Sequence, residues 1–93
     1  MDRHDLLGFF EQRRIDARHV PSTVLARARR VVERLEGGES YLSFHGKRLR
    51  HNRQHVSIPL GRRWRILADD VDGRLQVRSV LSHQSYNASL KII

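Results

Sequence analysis

The chain contains no cysteine, so disulfides and thiolate metal sites are excluded from the start. It also lacks any apolar run near the roughly 20 residues needed to cross a bilayer. Its opening, MDRHDLLGFF, mixes charge with only a short apolar stretch, which is unlike a secretory leader. These absences predict a soluble protein of the cytoplasm with no membrane partner. Repeats, linkers and low-complexity stretches are missing as well, so the 93 residues are expected to fold as one domain around a single modest core.

The most telling absence is local. Between His45 and Arg65 there is no acid, while Lys47, Arg48, Arg50, Arg53, Arg62, Arg63 and Arg65 stand there with His45, His51 and His55. Residues 1–40 hold eight arginines against seven acids, whereas residues 41–93 hold ten bases against three. The net charge of +8 therefore belongs to one half, and that half is predicted to be a working surface that meets phosphate. Sixteen of the eighteen basic residues are arginine, a bias that a GC-rich genome would also produce. Such a bias does not remove the acids from residues 45–65.

Two helices are expected first. Residues 3–17 read as one, with Asp2 as its cap, Asp5 complementing the positive N-terminal end, and Leu6, Phe9, Phe10 and Ala17 on one stripe. Pro21 and Ser22 then start a second, in which Val24, Leu25, Ala28, Val31, Val32 and Leu35 follow the helical period, and Gly37 and Gly38 end it. The pair is predicted to form an antiparallel hairpin.

After Gly38 the period changes to two. A short strand is expected at Tyr41 to Phe44, and another where Val56, Ile58 and Leu60 alternate with His55, Ser57 and Pro59, with Pro59 marking an edge or an end. A hairpin pairs residues 62–68 with 74–82 through a primed turn at Asp72 and Gly73. Its expected register sets Trp64 beside Leu81, Ile66 beside Ser79 and Ala68 beside Val77 on one face. Arg65 beside Val80 and Leu67 beside Arg78 fall on the other. The fold class is α+β: two helices on one side of a three- to four-stranded antiparallel sheet, with Arg63, Arg65 and Arg78 on the open side.

Three readings of the loop histidines stand together. His51 and His55, four apart with His45 nearby, would suit a metal if helical, but no carboxylate accompanies them and seven positive charges repel a cation. They are otherwise solvated companions of the arginines, or accessories to RNA chemistry. His83 and Tyr86 follow the last strand at the rim of the cationic face. Cleaving RNA without metal needs a group to take the 2′-hydroxyl proton, cations for the charged phosphorane and a group to protonate the leaving 5′-oxygen. His83, Tyr86 and Arg65 are candidates for those roles. The structural alternative is that His83 and Tyr86 merely pack the C-terminal turn.

Three stretches in order, Gly46 to Leu49, Val56 to Leu67 and Val80 to Asn87, resemble the ParE-like branch of the RelE/ParE toxin superfamily of bacterial toxin–antitoxin systems. The likeness spans residues 20–88, so residues 21–88 read as the family-like core and residues 1–20 as an added N-terminal helix. The resemblance implies a small antiparallel sheet backed by a helical hairpin, a cognate antitoxin that covers the basic face, and contact with operator DNA only through that complex. RelE-type members cut mRNA at the ribosome, whereas ParE-type members poison DNA gyrase. Carried over by position, Lys47, Arg48 and Arg50 match a basic RNA-holding loop, Arg65 the arginine at the scissile phosphate, and His83 with Tyr86 the C-terminal pair. Arg53, Arg62, Arg63 and Arg78 extend the expected RNA-binding set. The implied activity is a ribosome-dependent mRNA endoribonuclease without metal or cofactor; the alternatives are a non-enzymatic gyrase inhibitor and a plain RNA- or DNA-binding module. The family's usual first strand has no counterpart in this sequence reading, and Leu6, Phe9 and Phe10 are then free to meet a partner or a second copy.

Overall fold

Asp2 caps the first helix by accepting the N–H of Asp5 at 2.9 Å. In the computed structural model, which describes residues 2–84, this helix, α1, runs Arg3–Gln12, followed by α2 at Ser22–Glu36 and a short 3-10 helix at Tyr41–Phe44. Four strands complete the chain: β1 Lys47–Arg48, β2 His55–Leu60, β3 Trp64–Val71 and β4 Arg74–Ser82. They form one antiparallel sheet in the order β1-β2-β3-β4. The expected α+β architecture of two helices and a four-stranded sheet is present.

α1 ends five residues earlier than its periodicity suggests. Arg14 takes a positive φ of 57°, and the chain beyond it is extended instead of helical. Asp16 donates its N–H to Arg78 O at 2.9 Å and accepts from Val80 N–H at 2.8 Å, a single parallel bridge on the outer edge of β4. This return path also sets the helix pair. Arg3 at the start of α1 bonds Val20 O and Ser22 Oγ at the start of α2, while Arg13 at its end meets Glu36 at the end of α2. The helices thus run side by side in the same direction, because an extended connection, not a tight turn, carries the chain back.

Leu6, Phe9 and Phe10 face inward, so the expectation that they meet a partner is overturned. They pack with Leu25, Ala28 and Val32 of α2 and with Val56, Ile58, Ile66 and Val80 of the sheet, all buried. Phe10 and Phe9 meet edge to face with ring centres 5.1 Å apart. Among the described residues no helix is long and apolar enough to cross a membrane.

The strand expected at Tyr41 to Phe44 is the 3-10 helix, started by Ser40, whose Oγ accepts the N–H of Leu42. A local Ser cap outweighs β-propensity in so short a segment. Pairing begins only at Lys47 and reaches no further than Ser57 and Val56. Pro59 therefore lies where β2 has lost its outer neighbour, and its missing N–H costs no bond there. Gly46 is buried, and only glycine fits there, because a Cβ would come within 2.7 Å of Tyr41 O and 3.0 Å of Ile58 Cγ1.

The β3–β4 turn has the anticipated form, with φ of 54° at Asp72 and 82° at Gly73. Near it the expected register holds, with Ala68 opposite Val77. A bulge between Leu67 and Ala68 then inserts Arg78, and every later pair moves by one: Ile66 meets Val80, Arg65 meets Leu81 and Trp64 meets Ser82. Val80 consequently joins the buried core instead of lying beside Arg65 on the open face.

Candidate nucleic-acid interface

The alternation of β3 sends Ile66 and Ala68 to the core and Arg65, Leu67 and Asp69 to the open face. Arg65 is anchored through its guanidinium. Its Nη1 donates to Oγ of Ser57 at 3.2 Å, and Ser57 is itself only 3 % exposed, a buried hydroxyl that fixes the guanidinium over β2. The ladder continues past the end of β4, because His83 donates its N–H to Arg63 O at 2.6 Å. That bond carries the exposed His83 ring to Arg65, whose Nε donates toward Nδ1 at 3.4 Å. Two of the three residues expected to do chemistry are thus neighbours across 18 positions of sequence. Tyr86 lies outside the described residues.

A second cluster occupies the turn end of the same face. Asp69 accepts from Nδ1 of His55 at 2.6 Å on one carboxylate oxygen and from Nε of Arg78 at 2.8 Å on the other. Burial pushes the Asp69 carboxyl up, but the Arg78 and His55 hydrogen bonds and charges outweigh it and hold the group below the ordinary value. Arg78 reaches Asp69 from the bulge position. Sequence reading left His55 among the loop histidines and Asp69 in the turn. Their pairing depends on the β2–β3 register, which sets His55 opposite Asp69 and which no local motif announces.

The basic loop divides in two. Lys47, Arg50 and Arg53 are exposed. Arg48 instead donates to Asp70 Oδ2 at 2.6 Å, to Tyr41 Oη at 3.1 Å and to Arg53 O at 2.7 Å, with its guanidinium carbon 5.5 Å from the Tyr41 ring centre. Arg62 and Arg63 stand exposed at the β2–β3 turn, which the Arg27 guanidinium approaches from α2 at Gly61. His45 and His51 are exposed, and among the described residues no group of three or more metal-ligating side chains is gathered to hold an ion.

The arrangement offers a strip of guanidinium and imidazole groups on an open sheet face, flanked by a loop and a turn that add separate cations. The exposed cations would suit an anion laid along the face, with the His83 imidazole in reach of Arg65, while Asp69 already holds His55 and Arg78. A family model described as "ParE-like toxin domain" matches residues 22–88, from the first residue of α2 to beyond β4. No curated protein and no solved structure matches the chain.

Proposed function

We propose, for a chain that belongs to the ParE-like toxin family, that the toxic act is cleavage of mRNA. As the toxin of a toxin–antitoxin pair it has a cognate antitoxin as partner. The observation that carries the proposal is the contact of Arg65 with His83 on an open cationic face. A protein that only binds gyrase has no need of a proton-transfer group held beside an anchored arginine.

The Nε–H of Arg65 points at Nδ1 of His83, so this nitrogen carries a lone pair. A scissile phosphate arriving at the face takes the guanidinium for itself and releases Nδ1. His83 then accepts the proton of the ribose 2′-hydroxyl as the 2′-oxygen attacks phosphorus, and Arg65 stabilises the phosphorane. The 5′-oxygen leaves with a proton, assisted by Tyr86, giving a 2′,3′-cyclic phosphate and a 5′-hydroxyl end. Lys47, Arg50, Arg53, Arg62, Arg63 and Arg78 hold the flanking backbone, and Arg48 shapes the loop that presents three of them. The reaction balances without metal or cofactor. Its substrate is mRNA on the ribosome, in the cytoplasm, and operator DNA is met only through the antitoxin complex.

The test is expression of the wild type and Arg65→Ala in a bacterial cell, with mapping of mRNA 5′ ends and a gyrase supercoiling assay in parallel. New 5′-hydroxyl ends with the wild type and none with Arg65→Ala support cleavage. Inhibited supercoiling without new ends overturns it in favour of a non-enzymatic gyrase inhibitor.

A further inference from the structure

His55 lies on the same face as Arg65. In β2 the side chain of Ser57 opens onto that face, where its Oγ takes Nη1 of Arg65. His55 stands two residues back along the same strand, on the same side of the sheet and roughly 7 Å from Ser57. His83 meets Arg65 from the other direction, at Nε. Two imidazoles therefore flank one anchored guanidinium, His83 just past the end of β4 and His55 toward the turn end of the sheet.

The His55 ring is held. Asp69 faces it across the β2–β3 pair and accepts Nδ1–H at 2.6 Å, which leaves Nε2 as the nitrogen that can meet anything arriving on the face. The same hydrogen bond suits imidazole and imidazolium alike, because Nδ1 carries a hydrogen in both. His55 keeps 26 % of its side chain exposed, so the ring is braced and still reachable. The charged groups around it are Asp69, Arg78 on the other oxygen of that carboxylate, and Lys47, which stands opposite Ser57 on β1. A carboxylate on a face that meets phosphate opposes binding unless cations neutralise it. Arg78 alone would do that for Asp69; a second partner with a reachable ring nitrogen is what proton transfer needs and a clasp does not.

We infer that His55 is the catalytic acid of the cleavage, its Nε2–H protonating the departing 5′-oxygen, with Asp69 as the positioning residue. The inference rests on the cleavage reading above and names the proton source for its last step, which Tyr86 then assists. As the 2′-oxygen bonds phosphorus and gives its proton to His83, the bond from phosphorus to the 5′-oxygen breaks and its electron pair takes the proton from Nε2 of His55. One proton enters the protein at His83 and one leaves it at His55, so the step balances, and water restores both rings after the two ends depart. In-line displacement puts the attacking and leaving oxygens on opposite sides of phosphorus. Rings on opposite sides of Arg65 meet that demand.

The experiment programmes ribosomes with a short mRNA that carries one linkage mapped as a cleavage site, made with its ordinary bridging 5′-oxygen or with sulfur in that place. An alkoxide needs a proton to leave, whereas a thiolate, whose acid has a pKa of about 8.5, does not. His55→Gln should slow cleavage of the oxygen substrate by about 10² to 10⁴ times and cut the sulfur substrate at the wild-type rate. Asp69→Asn should shift the two rates in the same sense, and His83→Gln should slow both. The ratio of the two rates is taken within one protein, so a smaller folded fraction does not alter it. A ratio in His55→Gln and Asp69→Asn equal to that of the wild type, with both substrates cut at full rate or both slowed alike, overturns the proposal and leaves the pair a structural clasp. Wild type that cuts neither substrate sinks the nuclease reading and this one with it, whereas wild type that cuts while the ratio stays fixed in the variants sinks this one alone.

Discussion

Arg48 Nη2 lies 2.6 Å from Asp70 Oδ2, and this pair fastens the start of the basic loop to the far end of β3. The same guanidinium holds Tyr41 and the carbonyl of Arg53, so one side chain ties the 3-10 helix, the loop and the sheet together. Arg48→Ala should therefore lower the melting temperature and loosen the loop, whereas Lys47→Ala, removing an exposed charge on the same strand, should leave melting unchanged. Thermal melts of the two variants side by side check this. Equal melting would mean that the clasp contributes nothing in solution.

Acid should unfold the protein through its carboxylates. The Arg48 hydrogen bond is the main cause that holds Asp70 below the ordinary value, with burial opposing it. Asp69 is likewise lowered, Arg78 and His55 outweighing burial, and Asp16 is lowered chiefly by its hydrogen bond to Arg18. A carboxylate with a depressed folded pKa stabilises the fold fully above its unfolded value of about 4 and loses that contribution as pH falls through the folded one. Melting temperature should hold level on the neutral side and drop below about pH 4. Asp69→Asn and Asp70→Asn should each lower the plateau and flatten the acid limb. An unchanged limb in both variants would place the acid sensitivity elsewhere.

Phosphate contacts should come from the free cations of the loop. Replacing Lys47, Arg50 and Arg53 with alanine should reduce the slope of log affinity for single-stranded RNA against log salt by about 0.7 per lost contact, roughly 2 in all. Folding should be intact, since all three are exposed. A slope that does not move would transfer the RNA path to the β2–β3 turn and Arg78.

α1 should be part of the core instead of an appendage. Phe10 is 1 % exposed, packed between α2 and the sheet. Phe10→Ala should cost about 3 to 5 kcal/mol, seen in chemical denaturation. A cost near zero would mean that α1 is detachable and that residues 22–88 fold alone.

What the sequence made legible follows from how local each signal is. The amphipathic stripe of α2, the alternation of β2 and the Asp72–Gly73 turn each lie within a few residues of their cause, and all three appear as expected. The bulge at Arg78 has no local signature, and it alone moved Val80 from the open face into the core. The direction of α1 was likewise hidden, because it depends on Arg14 adopting a left-handed backbone and on Asp16 bridging a strand more than 60 residues away. At the candidate site, the sequence placed Arg65 and His83 toward the same end of the sheet, but the expected pairing of Arg65 with Val80 would have put His83 on the other face, and the bulge that pairs Arg65 with Leu81 is what brings them together. The capture of Arg48 by Asp70 and the pairing of His55 with Asp69 were not legible either, since both join strands whose register only packing decides.

Arg65 and His83 together support the sharpest prediction. His83→Gln keeps a polar side chain of similar reach and can still accept a hydrogen bond from Arg65, but its amide cannot take a proton from the substrate. If His83 takes the 2′-hydroxyl proton, this variant should cleave about 10² to 10⁴ times more slowly while binding ribosomes as tightly as the wild type. Arg65→Lys retains the charge but not the fork that reaches Ser57 and His83 at once, so it should also bind and cut poorly. Its stability should fall by only about 1 kcal/mol, the cost of leaving the buried Ser57 hydroxyl less well paired. Full-rate cleavage by His83→Gln would remove His83 from the chemistry and leave the open face as a binding surface only.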